Sequence, residues 1–303
     1  MTDWTFGGMW PYSPRFFSTA EGRLHYIDEG PPTAPPVVLL HGNPTWSFLY
    51  RTCIKQLLDV GHRVIAVDHL GFGRSDVPED AEAYRIARHA ERLGRLLDAL
   101  RLRRAVLVIH DWAGPVALPW AVRSPQAVSG LVVLNTFAPR LPGPIGSRGS
   151  LRALRGRVSG PFLVKRRNVP TEQFLFKAGT ANPARWSEQV KAAYRAPHPT
   201  PQSRVPMLVF PREIPFREDH PVARKSRETA PLVAERFARR PVQIIWGMKD
   251  ILFGSEVLEQ WAHLLPHATF RHLERAGHFL QEDEPDLVAS SISEFVAQAA
   301  LSD

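Results

Sequence analysis

A single cysteine, Cys53, in a chain of 303 residues excludes any intrachain disulfide, so the fold must rest on buried apolar surface rather than covalent staples. Cys53 lies in an apolar stretch that reads as a helix opening near Ser47, where a thiol acts as a small hydrophobe. Long hydrophobic runs are missing too. None approaches the roughly 20 residues a helix needs to cross a bilayer, and the opening Met1-Thr-Asp-Trp-Thr-Phe6 has no basic region leading into an apolar one. A cytoplasmic protein with no membrane partner is expected. Cofactor motifs are equally thin. Gly71-Phe-Gly73 follows a strand but lacks the third glycine of a dinucleotide fingerprint, so it reads as a turn. His263, His267 and His272 have neither cysteine nor a paired carboxylate at ligand spacing. No cofactor and no metal are expected.

What is present fits a globular chain. A hydrophobic fraction of 44% and a charged fraction of 22% suffice for one core with an inserted lid. Apolar, β-branched runs at 23–28, 37–40, 63–67, 105–109, 130–134, 242–246 and 269–273 read as strands. Helical patterns start near Ser47, Tyr84, Gly114, Ser255 and Glu284, the last placing Leu287, Val288, Ile292 and Phe295 on one face. Such alternation predicts an α/β fold with a mostly parallel, twisted sheet flanked by helices. Between 138 and 230 the alternation fails, and Pro, Gly and Arg punctuate short amphipathic pieces. This segment is read as a helical cap inserted into a core made of 1–137 and 231–303.

The sharpest chemical signal is Val106-Leu-Val-Ile-His-Asp-Trp-Ala-Gly114, a buried-strand run that ends on an acid, an indole and two small residues. On its own the segment is equally a core strand followed by a helix-capping Asp. Three further strand ends change its weight: Pro36-Val-Val-Leu-Leu-His-Gly-Asn-Pro-Thr-Trp46, Gln243-Ile-Ile-Trp-Gly-Met-Lys-Asp250 and Arg275-Ala-Gly-His278 each close on a side chain able to do chemistry. Asp111, Asp250 and His278 follow the chain order nucleophile, acid, histidine of the α/β-hydrolases. A carboxylate nucleophile attacks carbon and leaves an ester that water can cleave, whereas a serine attacking an alkyl carbon would leave a stable ether. Asp111 therefore points to displacement at saturated carbon.

The motifs His41-Gly-Asn-Pro-Thr-Trp-Ser47, Asp68-His-Leu-Gly-Phe-Gly-Arg-Ser-Asp76, His110-Asp-Trp-Ala-Gly114, Trp246-Gly-Met-Lys-Asp250 and Gly277-His278 resemble those of haloalkane dehalogenases, over nearly the whole chain. The resemblance implies hydrolysis of a small neutral halogenated alkane to alcohol and halide, with Asp111 as nucleophile and His278 as base. It implies Asn43 and Trp112 as the halide pair and their backbone N–H groups as oxyanion donors. Family members place the acid after either of two strands. No Asp or Glu follows Leu131-Val-Val-Leu-Asn-Thr136, which leaves Asp250 and resembles the family's third subgroup, together with an inclination to form homo-oligomers.

Blander readings stand beside these. Trp112 could be a core aromatic, Asn43 a turn-former and His278 a structural histidine. The nearest enzymatic rival is an epoxide hydrolase with the same Asp-His-Asp logic; that family supplies two cap tyrosines, and this cap holds only Tyr194. A fluoroacetate-type site would set a guanidinium beside the nucleophile, where Trp112 stands. A third class, a non-catalytic ligand- or polyanion-binding relative, draws on the net charge of +8 and on cap cations such as Arg152, Arg157, Arg166 and Arg167. No nucleic-acid motif accompanies them, and they read as a solvated face. Phe48, Phe137, Trp186, Phe216 and Phe279 are candidate pocket walls.

Overall fold

The computed structural model describes residues 3–137 and 148–301. Its strands are β1 Arg15–Ser18, β2 Arg23–Glu29, β3 Pro36–Leu40, β4 Arg63–Val67, β5 Ala105–Asp111, β6 Val128–Thr136, β7 Val242–Gly247 and β8 Thr269–Leu273. They form one sheet in the order β1-β2-β4-β3-β5-β6-β7-β8. β3 and β5 are buried at every position, as strands covered on both faces must be, and so read as continuous aliphatic runs rather than alternating ones. The register aligns these runs directly: Val37 faces Val106, and Leu107 faces Leu131. From β4 to β8 the pairing is parallel, while β1 and β2 are added antiparallel at one edge. β1 has no counterpart among the sequence-expected strands. Its side chains are mostly exposed, so it carries no burial signal.

β3 lies between β4 and β5, so the chain leaves it in one direction along the sheet and returns on the other side. In open α/β sheets the crevice at the carboxyl ends of such strands is where ligands bind. Helix α1 (Arg51–Asp59) packs with the C-terminal helix Pro285–Leu301, and α3 (Ala113–Arg123) packs with both α2 (Ile86–Ala99) and the helix Pro221–Phe237. Both groups form because one stripe of each helix is apolar, as in α2 with Ile86, Leu93, Leu96 and Leu97 buried.

Between β6 and β7 the described chain is helical, starting with α4 (Arg148–Arg155). Two stretches, Phe162–Arg166 and Pro170–Ala178, are wider π-helical turns, closed by bonds such as Gly179 N–H to Phe174 O at 2.7 Å. Turns of this kind recur at functional sites. The expected start of the insertion at 138 lies outside the described residues. Its expected end at 230 falls inside the helix Pro221–Phe237, which continues through Pro231. A proline reads as a stop in sequence; here the helix tolerates it.

Candidate active site

Asp111 ends β5 with φ +53, a left-handed backbone that costs an ordinary L-residue roughly 1–2 kcal/mol. That turn lifts the carboxylate from the sheet edge before α3 begins at Ala113. Neighbouring glycines make room: a methyl on Gly42 would sit 2.1 Å from Asp111 Oδ1, and one on Gly114 would sit 2.4 Å from Thr136 Oγ1. Thr136 Oγ1 in turn donates to the Asp111 carbonyl. The backbone N–H of Asn43 donates to Asp111 Oδ1 at 2.9 Å. No such bond to Asp111 is made by the backbone N–H of Trp112, the other expected oxyanion donor, among the described residues.

The structure brings Asp111, His278 and Asp250 together. His278 Nδ1 lies 2.8 Å from Asp250 Oδ2, and Nε2 lies 3.3 Å from Asp111 Oδ2, off the line of a good hydrogen bond. All three are buried. Burial by itself would lower the His278 pKa; the charge of Asp250 and its hydrogen bond to Nδ1, with the charge of Asp111, override it and raise the value to about 10. His278 thus rests as an imidazolium between two carboxylates.

Three residues around this relay were not singled out as site residues from sequence. Asn135 is the penultimate residue of β6. Its Nδ2 donates to Asp250 Oδ2 at 2.8 Å and to Gly247 O at 3.1 Å, and its Oδ1 accepts from Gly247 N–H at 2.7 Å. Asp250 Oδ1 accepts from Leu252 N–H at 2.7 Å, so the acid is held on both oxygens. His110 is buried, which with the nearby charge of His278 pushes its pKa down to about 3. It is therefore neutral, and its Nε2–H donates to the His278 carbonyl at 2.9 Å. Asp283 is buried and accepts from Gly277 N–H at 2.8 Å, Ala181 N–H at 2.9 Å and the Thr180 hydroxyl, fastening the His278 loop to the inserted segment. A signal existed only for His110, which adjoins Asp111. Asn135 reads as a turn residue, and Asp283 as one of several acids opening a helix.

Asp111, Asn43 and Trp112 border a cavity of about 210 Å3. Its remaining walls are mainly apolar and include Leu151, Leu154, Phe174 and Phe253, and among the described residues Asp111 is the one ionisable side chain that lines it. The Asn43 side-chain amide and the Trp112 indole N–H have no hydrogen-bond partner among the described residues, and Asn43 Oδ1 is buried without one. Trp112 is fixed by Phe137 at 4.5 Å and by Phe210 edge-on at 5.5 Å between ring centroids. Of the five expected aromatic walls only Phe137 lines the cavity. Phe48 stacks on Trp46, Trp186 packs on Phe176, Phe279 packs on His278, and Phe216 lies exposed under Arg155. Aromatic identity alone does not say which side of a helix faces inward. Tyr194 is also outside this cavity, donating to Glu282.

Residues 35–285 match the alpha/beta hydrolase fold family. The chain is 37% identical to haloalkane dehalogenase 2 of Mycobacterium tuberculosis, over 94% of this chain and 96% of that protein. It is 33% identical to a cis-3-alkyl-4-alkyloxetan-2-one decarboxylase of Shewanella oneidensis, over 95% of this chain and 89% of that protein. Among solved structures it is similar to haloalkane dehalogenase DbeA from Bradyrhizobium elkani, with a TM-score of 0.85 at 29% identity, covering 96% of this chain and 99% of the other.

Proposed function

Because the chain belongs to the haloalkane dehalogenase family of the α/β-hydrolase superfamily, we propose that it hydrolyses a neutral haloalkane through an aspartyl ester on Asp111. The observation that carries this reading is a carboxylate flanked by two neutral donors, unpartnered among the described residues, in a cavity whose other described walls carry no ionisable group. A leaving halide needs hydrogen-bond donors and no proton, and the Asn43 amide and Trp112 indole supply them without fixed charge.

Asp111 Oδ2 attacks the halogen-bearing carbon, the carbon–halogen bond breaks, and halide departs toward Asn43 and Trp112. Ester formation removes the Asp111 charge and with it part of what keeps His278 protonated. The His278 pKa then falls, its proton passes to solvent water as the halide's counter-charge, and the freed Nε2 takes a proton from a second water as that water attacks the ester carbonyl. Asn43 N–H, already on Oδ1, receives the growing oxyanion, a contact of a kind worth about 3 kcal/mol. Asp250 holds Nδ1, so Nε2 remains the working nitrogen. On collapse the His278 imidazolium gives its proton to the departing oxygen, which leaves as the alcohol, and the newly formed Asp111 carboxyl returns a proton to His278, restoring the carboxylate and the imidazolium. The apolar walls exclude bulk water from the displacement step.

The test is bromide release from 1-bromobutane and 1,2-dibromoethane by wild type and Asp111→Ala, with a single turnover in 18O-water. Release by wild type alone, with 18O appearing in Asp111 rather than in the first alcohol formed, is expected. 18O in that first alcohol would refute the ester. A second reading, opening of a β-lactone, is favoured by the decarboxylase relative. A cis-dialkyl oxetanone offered in parallel separates the two, because its turnover evolves carbon dioxide. An epoxide hydrolase is disfavoured because no phenol lines the cavity to protonate an alkoxide.

A further inference from the structure

Leu151 and Leu154 line the catalytic cavity, as do Val169 and Pro170; the chain between these pairs carries an unusual outer surface. From 148 to 167 there are seven cations and no carboxylate. Arg152, Arg157, Arg166 and Arg167 are exposed, and none forms an ion pair among the described residues. The next acid along the chain, Glu172, is held by Arg195 at 2.8 Å. In the same stretch Val158 is 85% exposed and Phe162 57% exposed. Phe162 N–H bonds to Val158 O, so the two lie one helical turn apart on a common side.

Exposed apolar side chains scattered singly need no explanation, but Val158 and Phe162 adjoin one another and form an apolar pair set among unpaired arginines. We infer that this outer face of the cap docks on an anionic lipid surface, Val158 and Phe162 entering the acyl boundary while Arg157, Arg166 and Arg167 meet headgroup phosphates. Apolar residues set among unpaired cations are the combination that peripheral membrane segments use, each cation adding attraction to an anionic leaflet. A second copy of this face is repelled by its own charge. A nucleic acid would satisfy the cations and leave Val158 in water. Docking holds the segments that line the cavity against a phase in which apolar alkyl compounds concentrate. That last consequence rests on the proposed activity; the docking does not.

The experiment is co-sedimentation of the full chain with phosphatidylcholine vesicles, with and without phosphatidylglycerol, at about 0.15 M salt. Binding only to the anionic vesicles is expected. Arg157→Gln/Arg166→Gln/Arg167→Gln lowers the partition coefficient about a hundredfold, and Val158→Ser/Phe162→Ser lowers it about tenfold. Both variants retain the wild-type unfolding temperature. Absence of phosphatidylglycerol-dependent binding overturns the proposal. So does unchanged binding by Val158→Ser/Phe162→Ser, which leaves charge alone, or equal affinity for single-stranded RNA. Light scattering that shows this double variant falling from an oligomer to a monomer assigns the face to a second copy instead.

Discussion

Asp111 in left-handed backbone, and His278 as a buried cation, are each unfavourable alone; together with Asp250 they are mutually compensating. The pairing has a pH signature. A histidine raised from 6.5 to about 10 stabilises the native state fully below its unfolded value, and that contribution is lost as pH climbs from about 6.5 toward 10. Urea unfolding near pH 6, 8 and 10 should therefore show wild-type stability falling across this window, with a flatter profile for His278→Gln. A parallel decline in both proteins would place the titration elsewhere. Asn135 is the second residue whose removal should be felt. Asn135→Ala strands Gly247 N–H in the core and removes one donor each from Gly247 O, which keeps Asp250 N–H, and from Asp250 Oδ2, which keeps His278. With about 1–3 kcal/mol for the buried orphan and about 1 kcal/mol for each of the other lost bonds, a loss of about 3 kcal/mol in urea unfolding is expected. Bromide release should fall about tenfold, because an unsupported Asp250 no longer fixes the His278 ring.

At the level of elements, the site is a set of strand ends joined by polar ties, and these two components were unequally legible. Strands such as 37–40 and 105–109 could be read because both faces are buried and every side chain is aliphatic. Exposed β1 could not. Asp111 and Asp250 stood out because each closes an apolar strand run, His278 by its place in the chain order, and Asn43 and Trp112 through the motifs of the resembled family; the structure gathers all five within one crevice. Asn135 and Asp283 did not, since their meaning lies in partners that are 112 and 102 residues away. Asp283 shows what such a tie does. It binds the 180–181 turn of the inserted segment to Gly277, which precedes His278. Asp283→Asn keeps the shape but cannot accept on both oxygens. It should lower bromide release about tenfold, with the loss mainly in kcat, because the His278 loop loosens while the apolar cavity stays intact. An effect confined to KM would show that the tie serves cap closure rather than histidine placement.

For the whole molecule, the question is whether core and inserted segment unfold as one. Buried polar ties cross between them. Arg51 of α1 grips Glu282 with a 2.8 Å contact from its second guanidinium nitrogen, Glu282 accepts from Tyr194 in the helix Glu188–Arg195, and Arg85 pairs with Glu213 at 2.7 Å. Glu282 and Glu213 are nearly inaccessible, so losing one partner leaves the rest desolvated and unpaired. Burial and the nearby Glu282 hold the Tyr194 phenol well above its ordinary pKa, which keeps it a donor. Glu282→Gln removes the charge that Arg51 needs and retains one acceptor for Tyr194. Breaking a buried pair in this way costs about 3–5 kcal/mol, and at about 2–4 °C per kcal/mol for a chain of this size the unfolding temperature should drop by roughly 10 °C. Because the lost contacts join segment to core, the cost should appear first as separation of the two. Calorimetry of Glu282→Gln should show a broadened or split transition where wild type gives one. Limited proteolysis should cut within 188–213 before any core site is reached. A single sharp transition at lower temperature, with no early cleavage, would mean that apolar packing of the segment on the core outweighs these ties and that Glu282 stabilises both as one body.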